Sequence, residues 1–265
     1  MDWLQVIFLA VIQGLTEFLP ISSSGHLVLP KELLGWPDQG LAFDVAVHIG
    51  SLSAVLLYFR HEVISLLQGW FKSVLFQQHS DQSHLAWCVI LATVPAGLVG
   101  LLADDMIEQH LRSILVIAST TILFGIVLGF SDRLGSRSMD MLSMSWKLAL
   151  VIGLAQVLAL IPGTSRSGIT ISAALLLGFN RETAARFSFL LSIPLILAAG
   201  SLKTLELVEL GEEVPWLQII VGTLLSGATA FLCIFAFLKL IDRMGLMPFV
   251  VYRLLLGGGL LVVSL

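Results

Sequence analysis

Eight long apolar stretches leave this 265-residue chain few folds to choose from. They lie near residues 3–19, 41–59, 85–103, 114–130, 146–161, 187–202, 216–238 and 248–264, with a shorter one at 169–179. A bilayer span needs ~20 mainly apolar residues. Composition agrees: charged residues make up 12% of the chain, against roughly 25% in soluble domains. The expectation is an all-α polytopic membrane protein, and the formal charge of −4 says little about partners. Met1-Asp2-Trp3 puts no basic region before the first apolar run, so no cleavable signal is expected. Cys88 and Cys233 sit in separate apolar stretches and read as small packing residues, not as a metal pair or disulfide. Residues 60–84 read as the longest polar loop.

One polar segment interrupts this pattern twice. Gln13-Gly-Leu-Thr-Glu17-Phe-Leu-Pro20-Ile-Ser22-Ser23-Ser24-Gly25-His26 has a degenerate copy at Gln156-Val-Leu-Ala-Leu-Ile-Pro162-Gly163-Thr164-Ser165-Arg166-Ser167-Gly168. At an offset of 143 residues, Gln13, Leu15, Ser22, Ser24 and Gly25 fall on Gln156, Leu158, Ser165, Ser167 and Gly168. The apolar stretches recur in the same order, which predicts internal repeats over about 1–131 and 146–265. Phe43-Asp44 through His48-Ile49 likewise resembles Phe187-Ser188 through Ser192-Ile193. The first copy carries Glu17 and His26 and the second carries Arg166, which suggests one site built from two halves.

Pro20 before a Ser/Gly run, and Pro162-Gly163, break the helices at both motifs. If each motif is a re-entrant hairpin, each half has three true spans and the halves are inverted, giving about six transmembrane helices plus two hairpins. That topology gathers Arg60, Lys72, Arg133, Arg137, Lys147, Arg181, Arg186, Lys239 and Arg243 on one side. The other side holds only Lys31, Arg112 and Lys203, with acids including Asp104, Asp105, Glu206, Glu209, Glu212 and Glu213. Such a bias places the basic loops in the cytoplasm and both termini outside. Motif one then enters from the outer face, motif two from the cytoplasmic face, and their tips meet near the midplane.

A carboxylate within an apolar run is costly unless paired, metal-bound or wetted. Glu17 therefore reads as a metal ligand or acid–base group, with Gln13 one turn earlier supplying an amide; a local cap is the plain alternative. Ser22, Ser23, Ser24 and Gly25 form a small-residue turn that either caps a helix or, beside His26, supplies a nucleophile or phosphate cradle. Gly163, Thr164, Ser165 and Ser167 surround Arg166 with turn N–H groups, a helix start and hydroxyls, a combination suited to phosphate or diphosphate. Asp44, His48 and Arg253 are secondary candidates.

Together these residues resemble the undecaprenyl-diphosphatase, or bacitracin-resistance, family. The matching motifs are [Glu/Gln]-x-x-x-Glu at Gln13–Glu17, Pro-x-Ser-Ser-x-Gly-His at Pro20–His26 and Pro-Gly-x-Ser-Arg-Ser-Gly at Pro162–Gly168. Phe187-Ser-Phe-Leu-Leu, Pro248-Phe and Tyr252-Arg253 extend the resemblance nearly end to end. It implies a bacterial cytoplasmic-membrane enzyme that removes the terminal phosphate of undecaprenyl diphosphate, regenerating the lipid carrier of peptidoglycan and other envelope polymers. It also implies a divalent metal, Mg²⁺ or Ca²⁺, here held by Glu17 and Gln13. Many members have Glu where this chain has Gln13, so a paired-carboxylate mechanism is not required.

The family-matched proposal makes Ser23 the nucleophile, activated by His26; water and His26 itself are the other options. Arg166 and Ser165 would hold the terminal phosphate. The expected partners are the polyprenyl diphosphate and membrane lipids, with a homodimer allowed and no nucleic acid. A transporter or flippase of a phosphorylated polyprenyl lipid is the alternative, since broken helices at the midplane serve translocation too. The phosphatidic-acid-type phosphatases are rejected: the histidine they place six residues after the Arg is Ser172 here, and no histidine follows His110.

Overall fold

The computed structural model describes residues 1–210 and 215–264; Glu212 and Glu213 lie outside the described residues, as do the side chains of Asp104 and Asp105. The described residues form eleven α-helices: α1 (Trp3–Thr16), α2 (Ser23–Leu34), α3 (Leu41–Tyr58), α4 (Arg60–Phe76), α5 (Asp81–His110), α6 (Ile114–Leu134), α7 (Trp146–Val157), α8 (Arg166–Leu176), α9 (Arg181–Leu210), α10 (Trp216–Met244) and α11 (Met247–Ser264). The protein is an all-α polytopic membrane protein. Five helices, α3, α5, α6, α9 and α10, are long and apolar enough to cross a bilayer. Apolar over Met247–Val263, α11 reaches about 26 Å and falls just short of them.

The helices flanking the motifs are shorter. With 14 and 12 residues, α1 and α2 rise about 21 and 18 Å, less than the ~30 Å hydrocarbon core. With 12 and 11 residues, α7 and α8 are equally short. Two pairs of short helices, each broken at a motif, thus sit among longer helices. Helix starts follow local chemistry. Asp2 and Gln5 form a reciprocal cap on α1, and Ser80 and Ser83 do the same on α5. Gly35, at φ 64°, ends α2 in the left-handed conformation.

Partners are exchanged across the chain: α1 packs on α10 and α7 packs on α5. The longest seams join α3 to α10 and α6 to α11. Close backbone approach makes them tight. A Cβ on Gly50 would stand 2.3 Å from the Thr223 carbonyl oxygen, and one on Gly153 2.5 Å from that of Ala92. At the end bearing the basic loops, buried Asp132 accepts Arg181 Nε at 2.6 Å and Arg181 Nη2 at 2.9 Å, the Arg137 guanidinium, and the Leu246 N–H. One carboxylate thus ties α6, the following loop, α9 and the residue before α11 together.

The expected loop at 60–84 is largely helix. Residues 60–76 form α4, with Ile64, Leu67, Phe71, Val74 and Leu75 exposed along it. Those apolar residues recur at helical spacing and mark an amphipathic helix. The interspersed Arg60, His61, Glu62, Gln68 and Lys72 hide that period from a search for continuous apolar runs.

Candidate active site

The two motif turns meet in the interior. Ser22 and Ser165 each cap the next helix, their hydroxyls accepting from Gly25 N–H and Gly168 N–H. Both adopt positive φ, 74° and 72°, rare for residues other than glycine. Ser22 Oγ lies 3.3 Å from Ser24 Oγ, and Ser165 Oγ lies 3.2 Å from Ser167 Oγ. The offset of 143 residues therefore recurs in the backbone. Ser167 Oγ donates to the Leu19 carbonyl at 2.8 Å, joining turn to turn.

Glu17 stands at the junction. Its Oε2 accepts from Ser23 Oγ at 2.6 Å and from Gln13 Nε2 at 3.1 Å, while its Oε1 accepts from Arg166 Nη2 at 3.2 Å. Arg166 Nη1 donates to the Ser188 carbonyl at 2.8 Å, and its guanidinium lies over the Phe18 ring. His48 Nε2 approaches Glu17 Oε2 at 3.9 Å, its Nδ1 held on the Asp44 carbonyl at 2.7 Å. This pairing answers the cost of placing a carboxylate among apolar helices.

A cavity of about 510 Å³ opens at this cluster, lined by Glu17, Ser22, Ser23, Ser24, Ser165 and Arg166 among others. Both helix N-termini, of α2 and α8, lie on its wall, so two positive helix ends and a guanidinium face one space. Asp44, Arg112, Lys203 and Glu206 add charge, His48 adds an imidazole, and Leu41, Val45, Leu195 and Ile196 add an apolar flank. At the rim, the Lys31 ammonium, 2.7 Å from Asp38, and the Gly40 N–H hold the Asp38 carboxyl below its usual range. Another cavity, of about 540 Å³, lies beside Glu62, Asp81, Asp140 and Glu182; four carboxylates against Arg186 suit an anion poorly.

Several expected site residues stand behind the cavity wall instead of on it. His26 is buried and both its ring nitrogens bond elsewhere than to Ser23: its Nδ1 meets the Ser22 carbonyl at 2.7 Å and its Nε2 the Tyr252 hydroxyl at 2.6 Å. Gly163, Thr164 and Ser167 are buried in turn two and do not line the cavity. Instead, Thr120 Oγ1 holds the Pro162 carbonyl at 2.6 Å, and Arg253 Nη2 the Gly163 carbonyl at 2.8 Å. Thr164 Oγ1 is buried without a partner. The physical reason is the short turn: successive residues point in different directions, so only part of each motif can face one space.

Gln13 is fully buried, and its Oε1 has no partner although its Nε2 binds Glu17. That orphaned oxygen beside a carboxylate fits the donor set of a hard divalent cation. Among the described residues no group of three His, Cys, Asp or Glu converges, so the substrate's own oxygens would complete the shell.

Arg253 and His48, secondary candidates by sequence, and Tyr252, which stands out in no motif pairing, all bind residues of the two turns or Glu17. Arg253 is wholly buried and also donates to Pro20 at 3.1 Å, Thr121 at 3.1 Å and Thr120 at 3.4 Å, in each case to the carbonyl oxygen. One guanidinium thus grips both turns and α6. Its signal was present, as a charge inside the last apolar stretch. Thr120 and Thr121 gave none, since a threonine inside an apolar helix has no distinctive pattern.

The chain is 60% identical to an undecaprenyl-diphosphatase of Saccharophagus degradans over 260 residues, covering 98% of this chain and 97% of the relative. It is 61% identical to one of Chromohalobacter salexigens over 262 residues, covering 99% of both. A third, from Hahella chejuensis, is 59% identical over 263 residues, covering 99% of this chain and 98% of the relative. With residues 6–259 matching the model of the bacitracin resistance protein BacA, the chain belongs to the BacA family.

Proposed function

We propose that this chain hydrolyses undecaprenyl diphosphate to undecaprenyl phosphate and inorganic phosphate in the bacterial cytoplasmic membrane. One observation carries the reading at the level of chemistry. The Ser23 hydroxyl sits 2.6 Å from Glu17, whose other oxygen meets Arg166, on a wall where two helix N-termini converge. An anion site alone explains Arg166 and the helix ends; it does not call for a hydroxyl bonded to a carboxylate.

The prenyl chain stays in lipid while the diphosphate enters the cavity. Arg166 and the N-termini of α2 and α8 hold the terminal phosphate and offset its growing charge. Ser23 Oγ attacks the terminal phosphorus and its proton passes to Glu17 Oε2. The bond from phosphorus to the bridging oxygen breaks, and polyprenyl phosphate leaves. Water then attacks the phosphoserine; Ser23 Oγ departs, is reprotonated through Glu17, and inorganic phosphate is released. His26 holds the Ser22 carbonyl, and with it the turn that presents Ser23. Glu17 and the unpartnered Gln13 Oε1 are the residues that would hold Mg²⁺ or Ca²⁺, which would supply further charge neutralisation. The positive-inside bias supports cytoplasmic basic loops, outer termini and a cavity open to the outer face.

The test is phosphate release from a prenyl diphosphate by purified protein in detergent, with and without Mg²⁺ or Ca²⁺. Ser23→Ala is expected to lower kcat at least about 10³-fold, as loss of a nucleophile does. A Ser23→Ala enzyme that keeps its rate sinks serine attack and leaves water as the nucleophile. Well-folded wild type that releases no phosphate under any metal, yet moves phosphorylated lipid across vesicles, favours the transporter instead.

A further inference from the structure

Tyr252 and Arg253 are neighbours on α11, so their side chains leave the helix about 100° apart. Arg253 turns inward onto the two motif turns, and half-exposed Tyr252 reaches His26. The tyrosine and imidazole rings stack, with centroids 5.7 Å apart and planes 10° apart. Nothing in the phosphoryl-transfer steps uses Tyr252 directly. Its hydroxyl nevertheless sits at the end of a chain of contacts leading to the nucleophile.

That chain has a defined direction. A carbonyl only accepts hydrogen bonds, so His26 Nδ1, 2.7 Å from the Ser22 oxygen, carries the ring proton. In the neutral ring Nε2 is then an acceptor, and the Tyr252 hydroxyl donates to it at 2.6 Å. The Ser22 carbonyl receives a second donor from the same residue, the His26 N–H at 3.3 Å. These contacts converge on the one residue of turn one with positive φ, Ser22 at φ 74° and ψ 94°. Such a conformation is strained for a residue other than glycine and persists only where its surroundings over-determine it. The next residue is Ser23, aimed at Glu17. Turn two provides a contrast: Ile169 takes the place of His26, and that turn, which presents Arg166 instead of a hydroxyl bonded to a carboxylate, is held by Thr120 and Arg253.

We propose that Tyr252 is a positioning residue for phosphoryl transfer, acting through His26. Its hydroxyl occupies Nε2, confines the imidazole to the Nδ1–H tautomer, and so keeps the Ser22 carbonyl clamped and Ser23 in line with Glu17. This rests on Ser23 being the nucleophile. It makes Tyr252 and His26 one unit: removing the hydroxyl slows the chemical step without weakening the diphosphate contacts made by Arg166 and the helix N-termini. Outer partners that orient a functional group typically carry about 10- to 100-fold in activity, and Tyr252 acts that way on Ser23 through His26 and the Ser22 carbonyl.

The experiment is Tyr252→Phe, which keeps the stacked ring and deletes the hydroxyl. The expected result is a kcat lowered about 10- to 100-fold with KM within about twofold. In detergent, the ¹⁵N imidazole signals of His26, assigned by their loss in His26→Gln, should move from the Nδ1–H tautomer toward a mixture. In the double variant His26→Gln/Tyr252→Phe, kcat should equal that of His26→Gln alone. Wild-type kcat in Tyr252→Phe, unchanged His26 signals, or a further loss in the double variant each overturn the proposal. The ¹⁵N signals are readable without turnover. An inactive wild type with the Nδ1–H tautomer intact would count against the phosphatase chemistry, and not against the Tyr252–His26 contact.

Discussion

Replacing Arg253 by methionine tests the junction of the two turns most directly. Arg253 donates to four carbonyl oxygens, those of Pro20, Thr120, Thr121 and Gly163. The four are not equivalent. Thr120 and Thr121 lie inside α6, where helix N–H groups four residues on also satisfy their carbonyls. Gly163 keeps a long contact from Thr121 Oγ1 at 3.4 Å. Pro20 sits in a broken turn and loses its one side-chain donor. A buried polar group left unpaired costs about 1–3 kcal/mol, and a hydrogen bond to a charged group contributes ~1.5–3 kcal/mol. One orphaned carbonyl, one weakened carbonyl and two lost charge-assisted bonds in α6 sum to more than about 4 kcal/mol, and removing a buried charge offsets part of this, leaving ~4 kcal/mol. Thermal unfolding in detergent should shift down by about 10 °C, at ~2–4 °C per kcal/mol for a chain of this size. Phosphate release should fall further than stability alone explains, because both turns lose their common support. Arg253→Lys is expected to behave like the methionine variant, since one ammonium cannot span carbonyls lying in different directions. Wild-type unfolding and turnover in Arg253→Met would refute the reasoning that this guanidinium holds the turns in register.

Other expectations follow from the same geometry. Gly50→Ala places a Cβ 2.3 Å from the Thr223 carbonyl and 3.0 Å from the Gly227 nitrogen, and backbone cannot yield as a side chain does. It should cost at least ~1–3 kcal/mol, read as a lower unfolding midpoint, whereas Gly97→Ala, with nothing within 4 Å, should not. Asp132→Ala strands Arg181 and the Leu246 N–H at the end bearing the basic loops and should destabilise by up to about 3–5 kcal/mol; an unchanged midpoint would argue against that hub. Glu17→Gln should abolish turnover while the protein stays folded, and Glu17→Ala should also destabilise by leaving Arg166 unpaired. Circular dichroism and phosphate release separate those two outcomes.

Much of this protein is legible in the order of its residues. Apolar runs of bilayer length announce membrane helices, because hydrocarbon tolerates little else, and Pro20 and Pro162-Gly163 announce where two helices break. Glu17 and Arg166 stand out because a charge in an apolar run needs a reason, and the same logic flags Arg253. What sequence could not decide is which polar residues face one another. That Glu17 meets Ser23 while His26 turns away to Ser22 and Tyr252 depends on the rotation of a turn bent into positive φ at Ser22. Spacing along the chain does not encode that rotation. The same limit hid Thr120 and Thr121: their hydroxyls matter only because α6 packs against turn two. Sequence determined the helices, their breaks and the charges that must be paired. Tertiary structure alone decided the pairs, since contacts between residues dozens to hundreds of positions apart depend on how whole helices seat against one another.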